Sequence, residues 1–303
     1  MANYTETFSL NPTPPFDFGH TLSLLERFGA DGVPKTLTET GLTQALTVQG
    51  QAVGVQLESS GGVEQPQLDV TLTARDLITA ELIAKASERL NFYLGLQDDL
   101  GPFYALAAKD DAFAPVLEQL YGYHQVKFPS VFTSVCWALV TQRTPNSFAY
   151  GTMAHLSELL GDRIWIAGQT FPTFPEPQAF LASDAPAKVL AATNNTRKTE
   201  RLLPLAREFL SVDEAFLRGA PYEEVYRWLK TLPGLGAWSV DYIMLRGLGR
   251  TERTPWTDTW LMDALSKVYA GGLSLSRGDA RRLAEGYGWY QGLWIHYLKT
   301  ALW

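Results

Sequence analysis

Asp258 is the residue of this chain best placed to do chemistry. It follows the linker Gly249-Arg250-Thr251-Glu252-Arg253-Thr254-Pro255-Trp256-Thr257 and precedes an apolar helical run, Thr259-Trp260-Leu261-Met262-Asp263-Ala264-Leu265. A carboxylate crowded by Trp238, Trp256 and Trp260 would be poorly solvated and electrostatically strong. Such a group can stabilise the positive charge that builds on a sugar as a glycosidic bond breaks, and it can orient or deprotonate a water. The bland alternative is an N-cap aspartate, worth ~1 kcal/mol. Thr257 could cap instead, so the cap does not require Asp258.

A phosphate-binding element lies upstream. Val225, Trp228 and Leu229 fall at helical spacing, and Pro233 and Gly234 stop that helix. Gly236 permits a second tight turn before a new stripe of Val240, Ile243, Met244 and Leu248. The pattern is helix, hairpin, helix. Its free N–H groups and helix dipole would attract an anion, and the contact would position a nucleic acid without reading its sequence. An interhelical turn with a glycine C-cap would use the same residues. A dinucleotide fingerprint is excluded, because Ser239 stands where the third glycine would be and a helix precedes the turn.

The hairpin, Trp238, Tyr242, Arg246-Gly247 and Asp258, in this order, resemble the helix-hairpin-helix DNA glycosylase superfamily. The run LPGLGAWSVDYIMLRGLGR is similar to its AlkA-like branch, the 3-methyladenine DNA glycosylase II enzymes. Further similarity lies in Pro14-Pro15-Phe16-Asp17-Phe18, in Phe128 through Thr144, in Phe171-Pro172-Thr173-Phe174-Pro175 and in Thr196-Arg197-Lys198-Thr199-Glu200-Arg201. It covers nearly the whole chain, with the hairpin-to-aspartate segment as its specific part.

The resemblance implies a monofunctional DNA glycosylase that flips an alkylated base of the 3-methyladenine type and hydrolyses its N-glycosidic bond. It implies Asp258 as the catalytic carboxylate and Trp238, Tyr242 and Gln142 as the base pocket. Arg143 becomes the wedge that fills the vacated stack. Leu232, Gly234, Gly236, Ala237, Trp238 and Ser239 become the grip on the DNA backbone. Trp238 and Tyr242 share a helical face, and their electron-rich rings suit a cationic base. The implied partner is double-stranded DNA containing damaged bases. No cofactor is implied beyond a monovalent cation at the hairpin when DNA is bound.

Bifunctional relatives carry a Schiff-base lysine where Trp238 stands, which speaks against an 8-oxoguanine-type glycosylase/lyase. A non-catalytic hairpin module that binds DNA is the other alternative. Three departures concern base preference. Arg143 occupies a commonly apolar wedge position, Thr259 follows Asp258 in place of an aromatic, and the closing Lys299-Thr300-Ala301-Leu302-Trp303 offers no secure match to the family's late pocket tryptophan.

With 303 residues, 46% of them hydrophobic, the chain can fold into two or three units. No run is long and apolar enough to span a membrane, and residues 1–6 lack the basic start and apolar core of a signal peptide. A cytoplasmic, nucleoid-associated monomer of bacterial type is expected. The single cysteine, Cys136, excludes an intrachain disulfide and a four-cysteine iron–sulfur cluster. His20, His124, His155 and His296 are too scattered for metal ligands.

The net charge of −7 argues against broad nucleic-acid affinity. Its distribution matters more: residues 1–110 hold 6 Lys+Arg and 14 Asp+Glu, whereas residues 111–303 hold 19 and 18. Three basic clusters stand out, namely Arg197, Lys198, Arg201 and Arg207; Arg246, Arg250 and Arg253; and Arg277, Arg281 and Arg282. Most of these residues read as solvated helix faces, yet a small footprint suffices for an enzyme acting on one base.

Residues 41–73 alternate and predict a small antiparallel sheet, followed by a helical stripe of Leu77, Ile78, Leu82, Ile83, Ala86 and Leu90. Helices are predicted over 112–121, 128–142, 146–160, 176–183, 194–210, 221–231, 236–247, 258–270, 276–285 and 289–301, with 170–177 a stiff proline-rich connection. The expected fold is mainly α. An α+β N-terminal domain spans 1–105, and a helical domain spans 106–303 with the helix-hairpin-helix at 221–248. Two helical lobes enclose a cleft with the hairpin and Asp258 at its mouth. Trp256, Trp260, Trp289 and Trp294 are assigned mostly to the core.

Overall fold

The computed structural model describes residues 3–302; Met1, Ala2 and Trp303, which belong to the terminal segments read above, lie outside the described residues. The alternating segments form a five-stranded antiparallel sheet in the order β1-β5-β4-β3-β2, from β1 Tyr4–Leu10, β2 Thr36–Leu37, β3 Gly41–Val48, β4 Gln51–Ser59 and β5 Leu68–Ala74. The register sets Leu46 opposite Val53 and Leu57 opposite Val70, which gathers the large aliphatic residues into one layer. β1 escapes a hydrophobic-pattern search because its YTETFSL is polar and largely exposed; it is an edge strand held by pairing to β5.

Ala45 and Ala52 form a small separate core with Ile164, Ile166 and Phe171 of a second hairpin, β6 Arg163–Ile166 and β7 Gln169–Pro172. The expected connection at 170–177 therefore begins as a strand, which tolerates Pro172 because the proline ends it.

Two large cores follow. The first unites the sheet with helices Phe18–Arg27, Ala80–Leu94, Gly101–Ala107 and Ala114–Gln119, and then with Leu261–Tyr269, Arg277–Gly286 and Gln291–Leu302. The division expected at residue 105 falls inside this core, between Phe103 and Ala107, and the last three helices return to it. The second core surrounds helix Val131–Val140, all of whose 10 residues are buried. Such a helix is apolar on every side and has to be enclosed. Around it pack Asn146–Leu160, Ala185–Thr193, Thr196–Ser211, Glu214–Gly219 and Tyr222–Thr231. Ala185–Thr193 and Glu214–Gly219 are additions to the expected set; the latter has 6 residues, too few to show a period.

After the hairpin, helix Ala237–Tyr242 runs into a π-helical turn, Ile243–Gly247, closed by Leu248 N–H donating to the Ile243 carbonyl at 2.9 Å. Such turns are frequent at functional sites. All five of its residues are buried, Arg246 among them. The segment lies so close to the central helix that a Cβ on Gly247 would stand 2.1 Å from Ser134 Oγ. Gly247→Ala is therefore expected to lower unfolding free energy by about 1–3 kcal/mol, measured by urea denaturation. An unchanged midpoint would mean that the two elements separate without cost.

Candidate active site

Residues from both large cores line a cavity of about 230 Å³. Its walls are aromatic. Trp238 stacks on Tyr242 with ring centroids 5.3 Å apart and planes at 28°. Trp137 stacks on Tyr150 at 5.0 Å and 29°. Phe28 meets Trp137 edge-on at 5.9 Å. Trp238 and Tyr242, one helical turn apart, both line the cavity. Phe28, Trp137 and Tyr150 are not identified by the sequence, since they come from three separate segments whose apposition has no local signal. The other tryptophans divide: Trp294 is fully buried, Trp260 packs on the first core, but Trp256 is 37% and Trp289 74% exposed, so neither is a core residue.

Asp258 lines the same cavity. Its Oδ1 accepts the Trp260 N–H at 3.1 Å, while Oδ2 lies 3.0 Å from Lys299 Nζ. The next helix starts only at Leu261. One carboxylate oxygen thus does the turn-anchoring expected of a cap, and the other faces a cation.

Beneath the aromatic walls lies buried Arg246, which forms no ion pair among the described residues. Its Nη1 is 2.9 Å from His296 Nε2 and 3.1 Å from Nδ1, and its guanidinium sits 5.1 Å from the Phe28 ring centroid. Burial, reinforced by Arg246, pushes the His296 imidazole well below its ordinary range, so the ring is neutral. The Tyr123 hydroxyl is 2.8 Å from its Nε2. Burial pushes the Tyr242 phenol well up, keeping it protonated. Asp241 also lines the cavity; burial raises its carboxyl above the ordinary value, while the hydroxyls of Thr257 and Tyr226 pull the other way.

The hairpin borders a second, open groove of about 610 Å³, lined by Gly234, Gly236, Ala237, Trp238 and Ser239 together with Gln142, Arg143, Arg197, Lys198 and Arg201. Gly234 has φ +87°, and a Cβ there would stand 2.8 Å from Arg201 Cδ. Leu232, expected in the backbone grip, is 4% exposed and anchors the turn in the second core.

Gln142 calls for a correction. It does not line the aromatic cavity: its Nε2 donates to the Gly234 carbonyl at 2.8 Å and to Ser239 Oγ at 2.9 Å, and its Oε1 accepts from Arg201 at 3.3 Å. With both ends engaged it braces the hairpin. Arg143 is exposed, in a left-handed conformation with φ +52°, on a loop that Lys198 holds by reaching the Val140 carbonyl and Thr144 Oγ1, both at 2.5 Å.

The basic clusters also separate. Arg197, Lys198 and Arg201 face the groove. Arg250 is paired with Glu252, Arg253 with Glu223 and Arg282 with Asp279. Among the described residues no group of three or more His, Cys, Asp or Glu is placed to hold a metal ion.

A buried central helix, a glycine hairpin braced against it and an aspartate facing an aromatic cavity thus lie together between two cores. No family model matches the chain. A DNA-3-methyladenine glycosylase of Bacillus subtilis is 25% identical over 175 residues, which is 57% of this chain and 57% of that protein. DNA-3-methyladenine glycosylase 2 of Escherichia coli is 25% identical over 244 residues, 79% of this chain and 80% of that one. The solved 3-methyladenine DNA-glycosylase from Archaeoglobus fulgidus superposes with a TM-score of 0.79 at 20% identity, covering 97% of this chain and 98% of its own. The chain has the fold of that Archaeoglobus fulgidus protein and is similar in sequence to the two DNA-3-methyladenine glycosylases.

The neutral, buried histidines make stability depend on pH. Burial holds His296 and His124 below their ordinary values in the folded chain. As pH falls through the unfolded value near 6.5, the unfolded chain takes up protons that the folded one refuses, so stability present above that pH is lost below it, by up to ~1.4 kcal/mol per pH unit for each histidine. Urea unfolding at pH 7 and pH 5 should show this loss, and His296→Gln should make it shallower. Identical slopes would assign the acid sensitivity elsewhere.

Proposed function

We propose that this chain is a monofunctional DNA glycosylase that releases alkylated bases of the 3-methyladenine type from double-stranded DNA, the opening step of base excision repair. The observation that carries the reading is Asp258 at an aromatic-walled cavity, next to a basic groove bordered by the hairpin. The similarity to proteins of Bacillus subtilis and Escherichia coli named for 3-methyladenine supports the substrate class.

In this reading the hairpin N–H groups and Arg197, Lys198 and Arg201 hold phosphates of one strand. Arg143 fills the stack left by the flipped nucleotide. The base enters between the Trp238–Tyr242 and Trp137–Tyr150 pairs, where stacking on an aromatic is worth ~1–3 kcal/mol and a cationic base is attracted to the ring faces. As the C1′–N bond breaks, its electron pair leaves with the base, which departs neutral, and positive charge develops on the deoxyribose. Asp258 stabilises that charge and takes a proton from the water that adds to C1′. The product is an abasic site in an uncut strand. A cation at the hairpin would support the phosphate grip only, and no step passes through it.

Base release from methylated duplex DNA, followed by chromatography of the liberated bases, tests the assignment. Asp258→Asn is expected to slow release at least about a hundredfold with the fold retained by circular dichroism. Equal release by both proteins would remove Asp258 from the chemistry. Arg197→Ala should weaken binding of all duplexes alike and reduce the slope of log affinity against log salt by about 0.9. An unaltered slope would place Arg197 off the DNA.

A further inference from the structure

We infer that Lys299 is a positioning residue for this reaction, holding the Asp258 carboxylate in the orientation it needs to face the flipped sugar. The inference rests on the glycosylase reading of the site. Asp258 is held by two donors from different parts of the chain: the Trp260 N–H on Oδ1 at 3.1 Å and the Lys299 ammonium on Oδ2 at 3.0 Å. A single backbone donor leaves a carboxylate free to swing about its Cβ–Cγ bond, whereas two donors on opposite oxygens set its plane. Both side chains line the aromatic cavity, and Lys299 Nζ lies 5.7 Å from the Trp260 ring centroid, so the ammonium is itself placed by the turn that carries Asp258.

The pair is poorly suited to a purely structural purpose. Lys299 and Asp258 side chains are 42% and 23% exposed, and an ion pair this accessible contributes little to stability. Its consequence is geometric, and reaction rates are far more sensitive to geometry than folding is. An amine in the pocket also invites comparison with a covalent mechanism. To attack C1′, Lys299 would have to give up its contact with the Asp258 carboxylate, 3.0 Å away, so a holding role and an imine-forming role are distinguishable by experiment. The other charged groups lining the cavity are Arg246, engaged with His296, and Asp241, engaged with Thr257. Among the described residues neither pairs with the Asp258 carboxylate, which is held by Trp260 N–H and Lys299.

The test is single-turnover base release from methylated duplex DNA by Lys299→Met and Lys299→Gln, with the dissociation constant for the same DNA and the thermal midpoint measured alongside. Either variant should lose about tenfold to a hundredfold in rate at unchanged DNA affinity and midpoint, and Lys299→Arg, which can donate to the same oxygen, should recover part of the loss. A wild-type rate in both neutral variants would overturn the inference. So would a loss confined to DNA affinity, which would make Lys299 a phosphate contact. Borohydride trapping of the wild-type protein on DNA, abolished by Lys299→Met, would overturn it by making the lysine a nucleophile. A wild-type protein that releases no base from any damaged DNA would overturn the glycosylase reading itself, and this role with it.

Discussion

The close approach of segment 237–247 to helix Val131–Val140 is the constraint on which the site depends. The approach is possible only because Gly247 has no side chain where it meets Ser134. The central helix is buried over its whole length, so it cannot shift without opening the second core. Its C-terminal end leads into the loop carrying Gln142 and Arg143, and Gln142 reaches back to the Gly234 carbonyl and the Ser239 hydroxyl. Ser239 in turn lies 3.4 Å from the Ala138 carbonyl of the central helix. One packing contact thus sets the hairpin, the exposed loop and the aromatic face of Trp238 and Tyr242 in a common frame.

The electrostatics of the cavity follow from that frame. A guanidinium taken out of water without a carboxylate is costly. Arg246 is compensated by the Phe28 ring face and by an imidazole that burial keeps neutral and able to accept. The positive charge stays below the aromatic walls, while Asp258 meets its cation, Lys299, at the more accessible side. Fixed groups of this kind need little reorganisation when charge develops nearby, which is the form of electrostatic support that catalysis uses most.

The two large cores explain why a site forms between them. The first core takes in the N-terminal sheet and then, after the second core is complete, the helices from Leu261 onward. The chain crosses between cores at the linker that ends in Asp258. A residue at such a crossing can face a cavity walled by both cores, one supplying Leu24, Ile295 and Lys299 and the other Trp137 and Tyr242. The final helix closes the cavity on the side of Asp258 by way of His296, Lys299 and Thr300.

What the sequence determined by itself is local in character. The hairpin shows in its glycines and proline. Trp238 and Tyr242 share a face because they are one turn apart, and Asp258 is conspicuous as an acid between a linker and an apolar helix. The strands of residues 41–73 show in their alternation. Tertiary structure alone decided whatever depended on elements meeting across the chain. Lys299 stands 41 residues beyond Asp258, and nothing in either segment announces the pair. Phe28, Trp137 and Tyr150 read as core aromatics until three segments converge on one cavity. Gln142 has the composition of a pocket residue, but its two polar ends are taken by the hairpin. β1 is a strand because the edge of β5 offers it hydrogen bonds, β6 and β7 are strands because they pair with each other, and the exposure of Trp289 follows from how the last helices turn. Periodicity and turn chemistry are properties of neighbouring residues. Apposition arises when distant apolar faces are buried together, and a single chain's pattern does not encode which faces those will be.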